Sequence, residues 1–129
     1  MVLWLGGSVL AYFPYFTPYF NELVWDKTQT HKYLSDSNLE WGQSQGELRR
    51  YLEGHPEAIY NPSQPQAGLI VVGGSDLVGI LEKPLRYAWL RDNFEPIDTI
   101  AYSYFVYDIS PGEISDLCSH SAYCQPAPD

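Results

Sequence analysis

The chain has 129 residues, 45% of them hydrophobic, which predicts one globular domain with its own core and argues against a second one. Seven basic against sixteen acidic residues give a formal net charge of -9 without any basic run. A nucleic-acid backbone would be repelled by this charge, so nucleic acid is excluded as a partner. Aromatic residues form 16% of the chain, and such rings serve cores, interfaces and sugar-binding platforms alike.

The N-terminal segment, residues 1–20, is interpreted as an apolar, aromatic arm. Residues 2–21 carry no charge, which is about the length of a membrane span, but two glycines and two prolines interrupt them. The basic start and the small-residue cleavage site of a signal peptide are missing. Two interpretations stay open, namely a buried arm of the domain and the end of a membrane helix that enters an interfacial aromatic belt.

The central part, residues 21–112, is predicted to form an α/β domain. In chain order the patterns predict a short strand over 32–37, a helix covering 47–53, a weak strand over 57–61, a buried strand over 68–74, short helices over 75–83 and 85–93, and a long strand over 98–110. This order indicates a small α/β sandwich with a mixed or mostly parallel sheet of about four strands and two to three helices. Residues 113–129 are predicted to be a C-terminal tail, of which residues 118–129 are predicted to be mobile.

The first helix has two possible starts. Ser37 with Glu40 and Ser44 with Glu47 each match the Ser-x-x-Glu capping box. A helix from Ser37 would contain Gly42, and a glycine inside a helix costs about 1 kcal/mol relative to alanine. The later start is therefore favoured, and it leaves residues 38–43 as a loop at the carboxyl end of the first predicted strand. Open α/β sheets bind their ligands at that end.

This loop and the residues just before it supply the candidate binding residues: Asp36, Asn38, Glu40, Trp41 and Gln43. An aromatic ring beside planar amides and carboxylates is typical of a carbohydrate site. Two alternatives remain. Asp36 and Glu40 could be the paired acids of a free-standing glycosidase or metal-assisted hydrolase. Trp41 could instead fill the core of a purely structural domain. Neither a cofactor nor a metal site is predicted.

Other motifs are weaker. The sequence VVGGSD, residues 71–76, lacks the full glycine pattern and the lysine of phosphate-binding loops, so a tight turn is favoured. The three histidines, His31, His55 and His120, lie in polar segments without an acidic partner and are interpreted as surface residues.

The two cysteines, Cys118 and Cys124, lie in a predicted loop. A disulfide formed in an oxidising compartment is favoured over free thiols. A zinc site is disfavoured, because His120 would supply only a third ligand.

Several strings resemble a known family. They are PYFNEL (18–23), KYLSDSNLEWGQ (32–43), LRRYL (48–52), YAWLR (87–91) with EPI (95–97), and YSYFVYDIS (102–110). Together they resemble the C-terminal extracytoplasmic region of bacterial membrane glycosyltransferases of the dolichyl-phosphate-mannose protein mannosyltransferase-like superfamily, whose members use lipid-linked sugars. The resemblance runs over residues 13–110, and its specific part is residues 36–43.

The resemblance implies a location and a context rather than catalysis. The family carries its catalytic acids in an early loop between membrane helices, and that portion has no counterpart here. Glu40 and Ser44 also stand where relatives have Asp, and VWDKTQTHK replaces a Gly-Gly turn. The expected function is therefore a non-catalytic accessory or binding domain on the extracytoplasmic side. It would contact the membrane portion of a glycosyltransferase or the membrane surface, and a glycan or lipid-linked sugar. The resemblance also favours the membrane-helix end at residues 2–20 and a disulfide between Cys118 and Cys124.

Overall fold

A computed structural model describes residues 42, 44–79 and 86–124 of the chain. Its elements are α1 (Gln45–Gly54), β1 (Ile59–Tyr60), β2 (Gly68–Gly73), α2 (Gly74–Val78), α3 (Ala88–Asn93), β3 (Asp98–Ile100), β4 (Tyr104–Ile109) and α4 (Pro111–His120), and a 3-10 turn (Ala122–Cys124) follows α4. The predicted arm at 1–20 and the predicted strand at 32–37 lie outside the described residues.

The four strands form one mixed sheet in the order β1-β2-β4-β3. β1 and β2 are parallel, whereas β4 runs antiparallel to both β2 and β3. The predicted small α/β fold with about four strands is therefore confirmed, and of the two sheet types considered the mixed one is observed.

Three loop segments lie together at one edge of the sheet, namely the edge formed by the ends of neighbouring strands. Tyr60 pairs with Val71 and Gly73 pairs with Tyr104, so the ends of β1 and β2 and the start of β4 lie side by side. We call this the carboxyl edge. It comprises Asn61, the Gly73 and Gly74 pair, and the β3–β4 turn at 101–103.

Alternating side chains of β2 and β4 divide the core between the two faces of the sheet, as the two-residue period of a strand requires. On one face α1 inserts Leu48 into a cluster with Val71, Ile100, Tyr104 and Val106. On the other face α2, α3 and α4 cover a larger cluster that contains Ile70, Val72, Leu77, Tyr87, Trp89, Leu90, Phe105, Tyr107 and Ile109. The sheet is thus covered by described helices on both faces.

The predicted long strand over 98–110 is wrong, because the structure divides it into β3 and β4, which pair as a hairpin. Ala101 and Tyr102 take the left-handed φ values of 49° and 55°, and the Ser103 N–H donates to the Ile100 carbonyl at 3.0 Å. Residues other than glycine pay about 1–2 kcal/mol for this conformation. Antiparallel pairing and burial of the hairpin outweigh that local cost.

The first part of the predicted tail at 113–129 is helical instead, because α4 occupies Pro111–His120. Ser110 and Glu113 form a reciprocal capping box, and Pro111 stands at the first helical position, where its missing N–H costs nothing. Ile114 and Leu117 pack against the larger core cluster. Residues 125–129 lie outside the described part of the chain.

The end of α4 is held by a disulfide. Cys118 and Cys124 are bonded, with their Cα atoms 5.2 Å apart. The Ser121 hydroxyl donates to the Leu117 carbonyl at 2.6 Å and satisfies one of the last carbonyls of the helix. The segment that follows α4 is therefore folded back onto it.

Candidate functional site

The five candidate binding residues, Asp36, Asn38, Glu40, Trp41 and Gln43, all lie outside the described residues. The structure does describe Gly42 and Ser44, which mark the C-terminal end of the predicted loop. Gly42 has a φ of +81°, a conformation that strains any residue with a Cβ, and it lies outside the helix. α1 begins at Gln45, so the predicted helix start near Ser44 is confirmed.

The side chain of Ser44 has a different role from the predicted one. It makes no hydrogen bond to the first turn of α1, so the predicted capping box with Glu47 is not formed. The Ser44 Oγ instead lies 3.3 Å from the Ser103 Oγ. Ser44 is 1% exposed and Ser103 is 0% exposed, and most buried hydroxyls in proteins have a hydrogen-bond partner. Ser44 therefore uses its hydroxyl for the buried contact with Ser103 and not for capping α1.

Ser103 connects three segments of the carboxyl edge. Its hydroxyl donates to the Ala101 carbonyl at 3.2 Å. Since that bond uses its only proton, the Ser44 hydroxyl is the donor in the Ser44–Ser103 bond. The backbone carbonyl of Ser103 accepts a hydrogen bond from the Gly74 N–H at 2.8 Å. The start of α1, the β3–β4 turn and the end of β2 are therefore fixed relative to one another through one residue.

The glycine pair after β2 does not present its N–H groups to a ligand. The Gly74 N–H is bonded to Ser103, and the Gly73 N–H donates to the Asn61 Oδ1 at 3.4 Å. The Asn61 Nδ2 donates to the Asp76 Oδ2 at 2.7 Å, which places a carboxylate beside the turn. A tight turn, the interpretation favoured from the sequence, accounts for all of these contacts.

Two buried tyrosines on the face of the larger core cluster have raised pKa values. Burial raises the pKa of the Tyr87 hydroxyl; the nearby Arg86 opposes this shift, and Asp76 reinforces it. On the same face of the sheet, burial raises the pKa of Tyr107 well above its usual range. The Tyr87 and Tyr107 hydroxyls and the Trp89 indole N–H are buried without a hydrogen-bond partner in the described part of the chain. This face is consequently a packed core whose few polar atoms stay uncharged.

The described histidines lie at the surface. His55 stacks on Tyr51 with ring centroids 4.4 Å apart, and its Nδ1 lies 3.0 Å from the Glu57 carboxylate. A backbone hydrogen bond and the His55 contact hold the pKa of Glu57 below its usual range. His120 is exposed at the end of α4, whereas His31 lies outside the described residues. The prediction that the histidines lack an acidic partner is therefore wrong for His55, although this contact with Glu57 is exposed to solvent.

Comparisons with protein-family models, curated proteins and solved structures find no match. In the described part of the chain, no three metal-ligating side chains come together. No helix among residues 42, 44–79 and 86–124 is long and apolar enough to cross a membrane.

The Ser44–Ser103 link is the part of this site that the sequence does not reveal. Ser103 interrupts a run of aromatic and branched residues, and this small polar residue is the available signal for a turn at that point. Nothing in the sequence indicates that its partner is Ser44, because the two meet only through the tertiary packing of α1 on the sheet.

The link predicts non-additive mutational effects. Ser103→Ala leaves the buried Ser44 hydroxyl without a hydrogen-bond partner among the described residues, and should lower the free energy of unfolding by about 1–3 kcal/mol. Ser44→Ala alone should lower the free energy of unfolding by less, because the Ser103 hydroxyl still donates to the Ala101 carbonyl. The double variant should be more stable than the sum of the single effects predicts, by about 1 kcal/mol, measured by urea unfolding. Strictly additive effects would show that the two hydroxyls do not interact.

Proposed function

We propose that the chain is a non-catalytic, extracytoplasmic binding domain of a membrane glycosyltransferase that uses lipid-linked sugars. In this proposal residues 36–43 form the loop that contacts a glycan or acceptor. The resemblance over residues 13–110 supports this assignment, since its specific part is the same loop.

One observation carries the proposal. Ser44, the residue that directly follows the loop, is tied through Ser103 to the carboxyl edge of the sheet. Open α/β sheets bind ligands outside the carboxyl ends of their strands. Ser44, the described residue that follows the candidate binding residues in the sequence, therefore lies at the edge where such folds place a ligand.

The residue types of the loop suit a neutral sugar. The Trp41 ring offers a platform for the apolar face of a pyranose, and the amides of Asn38 and Gln43 can both donate to and accept from hydroxyls. Asp36 and Glu40 accept hydroxyl protons. Two carboxylates and an overall charge of -9 oppose a phosphate group, so the sugar or acceptor is a better ligand than the lipid phosphate.

The charge also bears on the partner. Anionic lipid head groups would repel an acidic domain, which favours docking on the membrane portion of the enzyme over direct lipid binding. The Cys118–Cys124 disulfide supports an oxidising, extracytoplasmic compartment, because cytosolic thiols are usually kept reduced.

Nuclear magnetic resonance (NMR) titration of the labelled 129-residue chain with neutral methyl pyranosides and disaccharides tests the proposal. We expect millimolar sugar to shift the signals of residues 36–44, including the Trp41 indole. Gln43→Ala should weaken these shifts, whereas Gln64→Ala, an exposed glutamine in the loop before β2, should leave them unchanged. The absence of shifts in residues 36–44 with every sugar would overturn direct sugar binding.

Trp41→Ala separates a ligand platform from a core residue. If Trp41 is a platform, the variant keeps the wild-type urea midpoint and loses the sugar-induced shifts. A variant that unfolds or loses several kcal/mol would show that Trp41 fills the core, and would contradict its assigned role.

A further inference from the structure

A groove of about 530 Å³ lies between α1 and the end of β1. This volume falls within the range of about 300–1,000 Å³ that small-molecule sites occupy. Its floor is apolar and consists of Leu48, Leu52 and Tyr104; its rim consists of Gln45, Arg49, Glu53 and Tyr60.

The polar residues of the rim stand on one stripe of α1. Gln45, Arg49 and Glu53 follow one another at four-residue spacing, so their side chains lie above each other on the same helix face. All three are exposed, and within the described part of the chain their side chains make no hydrogen bond and no ion pair. No described residue therefore occupies their hydrogen-bonding groups.

Tyr60 faces this stripe from the sheet. Its side chain is 43% exposed, although it belongs to a strand that pairs with the fully buried β2 residue Val71. Its ring contacts the buried Tyr104 ring edge to face, with centroids 6.3 Å apart and an interplanar angle of 68°. The Tyr60 ring is thus both exposed and supported from behind, as an aromatic platform needs to be.

The chemistry of the groove matches a neutral polyhydroxylated ring. Arg49 only donates, Glu53 only accepts and Gln45 does both, which suits hydroxyl groups that donate and accept. The charges of Arg49 and Glu53 cancel, so neither an anion nor a cation is favoured. An acyl chain in the groove would remove water from the polar rim without replacing the lost hydrogen bonds, whereas the hydroxyl groups of a sugar replace them.

We propose that this groove is a second sugar subsite, which binds a pyranose unit of a neutral glycan with its apolar face on Tyr60. Gln45, on the rim of the groove, lies two positions after Gln43 in the sequence. The inference rests on the proposed function, since it assigns a further part of the same ligand.

Two pairs of variants test the subsite. Tyr60→Ala should weaken the binding of a neutral disaccharide about tenfold in an NMR titration, as loss of an aromatic anchor does. Tyr123→Ala removes a tyrosine of similar exposure, 40%, on the 3-10 turn and should leave the affinity unchanged. Arg49→Ala should weaken binding several-fold, and Arg50→Ala, on a neighbouring residue of α1 outside the groove, should not. A sugar-free NMR spectrum that matches that of the wild type verifies that each variant is folded.

The outcomes distinguish this subsite from the proposed function. Shifts at 36–44 with unchanged affinity in both Tyr60→Ala and Arg49→Ala would overturn the subsite and leave the loop as the ligand site. The absence of shifts at both places in the wild type would overturn both. Tighter binding of a sugar phosphate or a short alkyl glycol than of the neutral disaccharide would overturn the assignment of a neutral sugar.

Discussion

Replacing Phe105 with alanine is expected to lower the free energy of unfolding by about 3–5 kcal/mol. Phe105 is 0% exposed, lies on the central strand β4 and pairs with Val72 across the sheet. The truncation would leave a cavity between the sheet and its covering helices. Since domains of this size are stable by only about 5–15 kcal/mol, a large part of the stability would be lost.

Urea unfolding measures this effect, and Ile97→Ala is the matched control. Ile97 is also a large hydrophobic residue near the hairpin, but it is 60% exposed, so its truncation should change the free energy of unfolding by less than about 0.5 kcal/mol. Equal losses in the two variants would contradict the described position of the core. Partly unfolded Phe105→Ala should also bind sugar more weakly, because the sheet positions both Ser103 and Tyr60.

Loss of the disulfide is also expected to lower the free energy of unfolding. The bond joins residues six positions apart, and closing so short a loop is worth about 2 kcal/mol in the chain-entropy estimate. The Cys118→Ser, Cys124→Ser variant should therefore unfold at a lower urea concentration than the oxidised wild type. The loss should be centred on α4, whose only described apolar anchors on the core are Ile114 and Leu117.

Reduction of the wild-type protein provides the control for this variant. A reducing agent should move the urea midpoint of the wild type to that of the double serine variant, and should leave the variant itself unchanged. A wild-type midpoint that is insensitive to reduction would contradict a stabilising role for the bond. Thiol labelling of the oxidised protein should detect no free cysteine among the described residues.

The elements that sequence patterns identify are those in which local preference and burial agree. Ile70, Val71 and Val72 of β2 are fully buried, and α1 ends at Gly54, just after its last periodic position. The start of α1 is also predictable, because Gly42 disfavours an earlier one. In each case a single local rule gives the same answer as the tertiary fold.

The sequence predictions fail where tertiary packing overrides a local preference, or where one sequence pattern fits two different structures. Ala101 and Tyr102 are poor residues for positive φ, so the alternating pattern through them predicts one long strand instead of a hairpin. Pro111 fits the end of a strand, although a proline after serine also starts a helix. The Ser-x-x-Glu pattern from Ser110 to Glu113 is the signal that could have identified α4.

The candidate site is predictable only in part. The residue types at 36–43 are by themselves typical of a sugar-binding site. The groove does not follow from the sequence, since Tyr60 and Arg49 approach each other only because α1 packs on the face of the sheet that Tyr60 shares with Val71. The Ser44–Ser103 hydrogen bond likewise depends on the order of the strands.

The central proposal is that residues 36–43 and the groove beside α1 bind one neutral glycan together. Intermolecular nuclear Overhauser effects between a bound neutral disaccharide and the labelled chain test it most directly. We predict that ring protons of the sugar show these effects to the Trp41 indole and to the Tyr60 ring in the same complex. Contacts to neither aromatic ring, with the sugar bound elsewhere on the domain, would contradict the claim.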